Sequence, residues 1–268
     1  MAGTKRASPG AEEEKNPLHS VELSDEDAQK LNAVQKDIAR VELALERAAQ
    51  AKLAAVYTKR RETVKAISKF WPVALMNHQL CAMHAQHSAD QLALSYLEDL
   101  WVERDQNEPR CYTLEFHFRE NPYFTDSVLK KQFKYVPPPA AADEKPDEDG
   151  VTRSMLDFSW DRDVQPSATP INWKDASKAL TKLYPQEAGE DADDLPADPG
   201  SFFNFFEKAD DPFDIGNTIS TEIFPDAIEY FLGTMGGEEI DSEEEDSDDD
   251  DDADEIDLEK PRPKKQKV

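Results

Sequence analysis

His84, His87 and Asp90 come nearest, in type and spacing, to a chemical site in this sequence. On one helix face the three would offer a divalent metal two imidazoles and a carboxylate. The H-E-x-x-H spacing of a zincin is absent, and Met83, Leu94 and Leu97 beside them suit a packed helix whose histidines serve edges and caps. No phosphate-binding P-loop, dinucleotide fingerprint or nucleophile elbow occurs, and nine glycines leave little material for a phosphate cradle. Cys81 and Cys111 form no CxxC pair, which fits two buried thiols in a reducing compartment. The expectation is therefore a protein with no catalytic residue, no cofactor and no metal.

What the sequence offers instead is charge. Against 31 Lys and Arg stand 58 Asp and Glu, a net charge of -27 over 268 residues. Sixteen of those carboxylates lie between Glu238 and Glu259, where no Lys or Arg occurs, so about -11 remains on the rest. Such a chain repels nucleic acid and attracts cationic macromolecules, with steering that weakens as salt rises. Ser242 and Ser247, each followed three residues on by an acidic residue, suit phosphorylation by an acidophilic kinase. The closing "KPRPKKQKV", with Lys260, Arg262, Lys264, Lys265 and Lys267, reads as a nuclear import peptide; the alternative is a neutralising end that folds back on the acid run. No apolar run reaches the ~20 residues that span a bilayer, and the N-terminus has no apolar signal region, so no membrane partner is expected.

The elements that would carry these charges can be read from periodicity. Ser24 followed by Asp25, Glu26 and Asp27 predicts a capped helix start. Leu31, Val34, Ile38, Val41 and Leu45 then step by three and four, the spacing of a coiled-coil seam, and Leu53 and Val56 continue it past a stutter, with Arg60, Val64, Ile67 and Trp71 beyond. The helix can run to about Ile67, and its economical partner is the same helix from a second copy. Pro72 is expected to break it, with a second helical region following to about Glu98. Period-two alternation in "CYTLEFHF", "LKKQFKY" and "LDFSWDRDV", with "ATPINWK" a shorter candidate, predicts an antiparallel sheet. "GSFFNFFEK" and "PDAIEYFLG" predict two short helices, with Phe202, Phe203, Phe205 and Phe206 in the core. Strands followed by helices argue an α+β fold. The expected organisation is an N-terminal disordered segment at 1–23, a dimerisation helix at 24–69 and an α+β domain at 70–233. That domain carries flexible insertions near 137–150 and 186–199, and an acidic disordered tail at 234–259 and a basic tail at 260–268 follow it.

The blocks "FWPVALMNH", "LEFHFRENPYFTDSVLKKQF", "INWK", "SFFNFF" and "PDAIEYF", in this order between a seam helix and an acid tail, resemble the nucleosome assembly protein family, most closely its SET (template-activating factor) branch. The resemblance runs from about Ser24 to Leu232. It implies a homodimer joined by the long helices, each α+β domain hanging from one end in an earmuff arrangement, and a chaperone of core histones that needs no ATP and assists nucleosome assembly and disassembly. The import peptide places the expected protein in the nucleus, with shuttling to the cytoplasm as an open alternative. The alternative it carries is a regulatory binder, which inhibits a serine/threonine phosphatase or masks histone tails from an acetyltransferase; chromatin DNA is a further partner it admits. Carried over by motif, the histone-binding candidates are Asn204, Glu207, Asp210, Asp211 and Asp214 after "SFFNFF", with Glu222 and Asp226 nearby. Asn204 stands where relatives often have Thr, and Lys208 interrupts the acid run. A longer "VTRSMLDFSWDRDVQPSATP" segment and a shorter, basic-ended tail suit a fungal-type member.

Overall fold

Helix α1 (Asp25–Val64) begins where the sequence predicts, because Ser24 is extended (φ -70, ψ 150) and its Oγ accepts the Asp27 N–H at 3.1 Å. These features come from a computed structural model that describes residues 23–187 and 198–235. Forty residues make α1 ~60 Å long. The break comes at 65–69, upstream of the proline, and ends on Lys69 in the left-handed region (φ 59). Pro72 instead sits inside the first turn of α2 (Phe70–Met76), where a missing N–H leaves no bond unmade.

The expected second helix is three short ones: α2, α3 (Gln79–His84) and α4 (Ser88–Leu94). His78 interrupts the run by capping α3, its Nδ1 accepting the Leu80 N–H at 3.2 Å. By Leu97 the chain is already β1 (Leu97–Arg104), a strand that periodicity missed. Its register shifts between Leu97 and Asp99, so Leu97 and Leu100, three residues apart, both face the core, and Asp99 is buried on the other face by pairing with Arg61 of α1; the alternation that would have flagged the strand is broken. Antiparallel β2 (Tyr112–Phe118) and β3 (Val128–Tyr135) match expectation, and the sheet order is β1-β2-β3-β4.

"LDFSWDRDV" does not form the expected strand. It runs from the last residue of α5 (Arg153–Leu156) through α6 (Trp160–Asp163), and only its last residue, Val164, joins the sheet, opening strand β4 (Val164–Pro166). Its polar residues bond locally, with Asp163 accepting the Ser159 N–H at 3.0 Å and Arg162 Nε at 2.8 Å, which favours turns over a ladder. "ATPINWK" contributes a single bridge, Phe124 to Trp173, and the short helix α7 (Leu180–Leu183) follows. Residues 137–150, expected as a flexible insertion, carry a 3-10 turn (Pro139–Asp143) and bond to α1: Arg40 donates to Asp147 at 2.7 Å and Asp149 at 2.9 Å. Leu43 of α1 is buried there against Val151 and Met155. Most of the other insertion, and both tails, lie outside the described residues.

One face of the sheet carries the core. Leu100, Leu114, Phe116 and Leu129 are buried there beneath α8 (Asn204–Glu207), α9 (Ile215–Thr218), a π-helical turn (Ile219–Ile223) and α10 (Ala227–Leu232). Phe202, Phe203, Phe205 and Phe206 are all core residues, and Phe206 meets Phe116 edge-on at 5.0 Å. Gly233 (φ 73) ends α10 in the left-handed conformation that favours glycine.

Candidate functional site

The seven carried-over residues fall on α8 (Asn204, Glu207), the loop from α8 to α9 (Asp210, Asp211, Asp214), the π-helical turn (Glu222) and the cap of α10 (Asp226), and the structure divides them by what their side chains already do. Asn204 is buried, its Nδ2 donating to the carbonyls of Tyr184 (3.1 Å) and Pro199 (3.4 Å). Glu207 Oε1 accepts Trp173 Nε1 at 2.9 Å and the Ile171 N–H at 3.4 Å, tying α8 to the segment after β4. Asp211 accepts the N–H groups of Ile215 (3.1 Å) and Gly216 (2.7 Å), the first turn of α9. Burial holds its carboxyl above the usual carboxylate range, with those two N–H groups and Lys131 pulling the other way. These three residues build the site rather than face outward.

Asp210, Asp214 and Glu222 are exposed and Asp226 half-buried. Asp214 sits at φ 56, a left-handed position that Asp tolerates and most side chains do not, and accepts Asn217 Nδ2 at 3.0 Å. Glu222 stands 3.4 Å from His78 Nε2. The two groups share one neighbourhood: burial, with Asp211 and Glu222 adding to it, pushes the buried Cys81 thiol up to about 12. The result is a set of carboxylates on folded backbone, hydrated enough to meet a cation and fixed enough to prefer one arrangement of cations.

Lys131 was missed by sequence reasoning. It occupies the core-facing row of β3, opposite Leu114 and between Leu129 and Phe133, and is fully buried. The signal was present, since "LKKQFKY" alternates and places this lysine on the apolar face.

His84, His87 and Asp90 do not converge as ligands. His84 Nδ1 bonds the Leu80 carbonyl at 2.9 Å, His87 stacks on Tyr184 at 3.9 Å, and Asp90 is fully buried, accepting Ser201 Oγ at 2.6 Å and the Phe202 N–H at 3.1 Å. Asp90 thus anchors the turn that opens the phenylalanine block.

The seam of α1 separates at Tyr57. Leu31, Val34, Ile38, Val41, Leu45 and Val56 are each more than half exposed, and Leu53 is 37% exposed. They lie opposite Arg40, Leu43, Ala44, Arg47 and Ala54, which turn toward the chain's own domain, so the helix carries two stripes. Further on, the expected seam positions Arg60, Val64 and Trp71 belong to that domain instead. Arg60 donates to the Phe224 and Pro225 carbonyls, and Val64 and Trp71 are core. Ser242, Ser247 and the basic residues Lys260 to Lys267 lie outside the described residues.

No helix among the described residues is long and apolar enough to cross a membrane. Among known proteins, Protein SET of Drosophila melanogaster is 28% identical over 232 residues, 85% of this chain and 78% of that protein. Nucleosome assembly protein 1;1 of Arabidopsis thaliana is 29% identical over 208 residues, 67% of this chain but only 50% of the relative. The crystal structure of Ccp1 shares the fold with a TM-score of 0.54 at 21% identity, over 81% of this chain and 98% of Ccp1. That of Vps75 does so with 0.53 at 16%, over 78% and 98%. The family model described as "Nucleosome assembly protein (NAP)" matches residues 12–234, from before α1 to beyond α10, and the chain belongs to that family.

Proposed function

We propose that this protein is a homodimeric histone chaperone that binds core histones through fixed carboxylates on its α+β domain, screens their charge without ATP, and passes them to DNA in the nucleus. The observation that carries the reading is the family match across 12–234 in a chain of net charge -27. Asp210, Asp214, Glu222 and Asp226 are the contact residues, supported by the exposure of the first three, with half-buried Asp226 near Glu222, beside carboxylates the fold has already consumed. The run from Glu238 to Glu259 supplies long-range, salt-sensitive attraction that raises the association rate. The free stripe of α1 supplies the dimer.

The test is a titration of core histone tetramer and dimer, separately, at ~0.15 M salt, where exposed charges beyond ~8 Å are screened. Asp210→Asn, Asp214→Asn, Glu222→Gln and Asp226→Asn together should weaken binding more than deletion of 238–268, and the deletion should keep the preference between the two histone forms. Asn tolerates the left-handed backbone at 214, so the variant keeps its loop. Normal binding by the four-site variant, with binding lost in the deletion, would refute the reading.

A further inference from the structure

A lysine in the apolar row of a central strand needs a reason. Lys131 pairs with no carboxylate among the described residues, and burying an ammonium without one is costly for stability. Its Nζ instead donates to three consecutive backbone carbonyls: Lys208 at 2.6 Å, Ala209 at 2.8 Å and Asp210 at the limiting 3.5 Å. The rings of Phe205 and Phe133 lie at 5.2 and 5.8 Å from it. One cation thus satisfies the main chain of the segment that links α8 to Asp211, while residues 208, 209 and 210 are exposed. The far end of the segment is closed by Asp211 on Ile215 and Gly216, and a Cβ on Gly216 would lie 2.3 Å from the Phe133 ring, so that end admits only glycine without repacking.

We infer that Lys131 is the positioning residue of the acidic loop: its ammonium, buried in the sheet, draws the carbonyls of 208–210 inward and so holds Asp210 and Asp214 in the arrangement that meets histone. This rests on the histone reading above and adds the residue that sets its geometry. An ammonium suits this task because its three N–H donors match three carbonyls, and because its charge reduces the mutual repulsion of Asp210, Asp211 and Asp214 from within. A methionine of similar length would fill the space and leave the carbonyls to water. The loop would then be ordered only on binding, at a cost in affinity.

The test compares Lys131→Met and Lys131→Arg in the full chain by amide hydrogen exchange of 209–216 without histone, and by affinity for the core histone tetramer at ~0.15 M salt. K131M should melt no lower than the wild type, exchange roughly tenfold faster in the loop with β2 and β3 unchanged, and bind about tenfold more weakly. K131R, with donors in a fork, should recover much of both. Loop exchange unchanged in K131M overturns the inference, whatever the histones do. Faster exchange with unchanged histone affinity keeps the latch and refutes the histone reading of this loop instead. Should K131M not fold, Lys131→Gln, with two donors and no charge, carries the same comparison.

Discussion

Replacing Ile38 and Leu45 of α1 by Asp should convert the protein to a monomer, and the size of the effect follows from their surroundings. Ile38 is 52% and Leu45 66% exposed within one chain, so about half of each side chain is left for a partner to cover. Half of the ~1.5–3 kcal/mol for a fully buried aliphatic side chain is ~1 kcal/mol, and a symmetric dimer contains each substitution twice, giving ~4 kcal/mol. Carboxylates facing one another in an apolar seam add at least ~2 kcal/mol. A total of ~6 kcal/mol raises the dimer Kd by about 10⁴-fold. Sedimentation or light scattering at about 1 µM should then report one chain rather than two, with helix content by circular dichroism unchanged because neither Ile38 nor Leu45 belongs to the hydrophobic core of the described residues. Leu43→Asp is the control: Leu43 is 5% exposed against Val151 and Met155. That variant should destabilise the domain and leave the seam intact. A double variant that still sediments as a dimer, helix content intact, refutes the assignment.

Burial pushes Lys131 down from the ordinary 10.5 to about 8. The unfolded chain therefore holds this proton more tightly, the cost is fully present below pH 8, and stability recovers as pH rises toward 10.5. Relative to K131M, the wild type should gain about 2 kcal/mol between pH 7 and 10 in urea melts, allowing for solvent screening; a constant difference would sink the claim that burial depresses the pKa of this lysine. Truncation after Glu259 should shift a fluorescently tagged protein toward the cytoplasm, since five cations from Lys260 to Lys267 are lost. Undiminished nuclear signal would place the address elsewhere, with Lys5 and Arg6 the next residues to change.

Local rules were legible where one periodicity or one cap ruled. Ser24, the alternation of Tyr112, Leu114, Phe116 and Phe118, and Gly233 after α10 each specify their element alone. Reading failed where the backbone departed from a single period. The bulge between Leu97 and Asp99 hid β1, and Asp163, bonding back to Ser159 and Arg162, turned the middle of "LDFSWDRDV" into the helical turn α6 although its apolar residues alternate as in a strand. Pro72 misled because its effect depends on whether it falls in a helix interior or a first turn, which only the break at Lys69 decides. In the candidate site, composition flagged the acid run, but a carboxylate that caps α9 and one that faces solvent are the same letter. Asp211 and Asp210 are told apart only by the N–H groups of Ile215 and Gly216.

That distinction bears on how an acidic protein remains selective. A surface built only from free carboxylates would attract any cation and hold none in a fixed pose, because each side chain would be ordered at the moment of contact. Here the fold uses Glu207, Asp211 and Lys131 to immobilise the backbone from which Asp210 and Asp214 extend, so part of that ordering is complete before a partner arrives. The same economy appears in α1, where Arg40 and Leu43 on one face are clamped by Asp147, Asp149, Val151 and Met155. Clamping one face sets the rotation of the helix, and with it the direction of the free stripe. Both proposed interaction surfaces are therefore aimed by contacts on their reverse sides, and a variant that loosens Lys131 or Arg40 should impair recognition without touching a proposed contact residue. On the proposed reading, the charge of the chain sets how fast partners arrive and these reverse contacts set which of them stay.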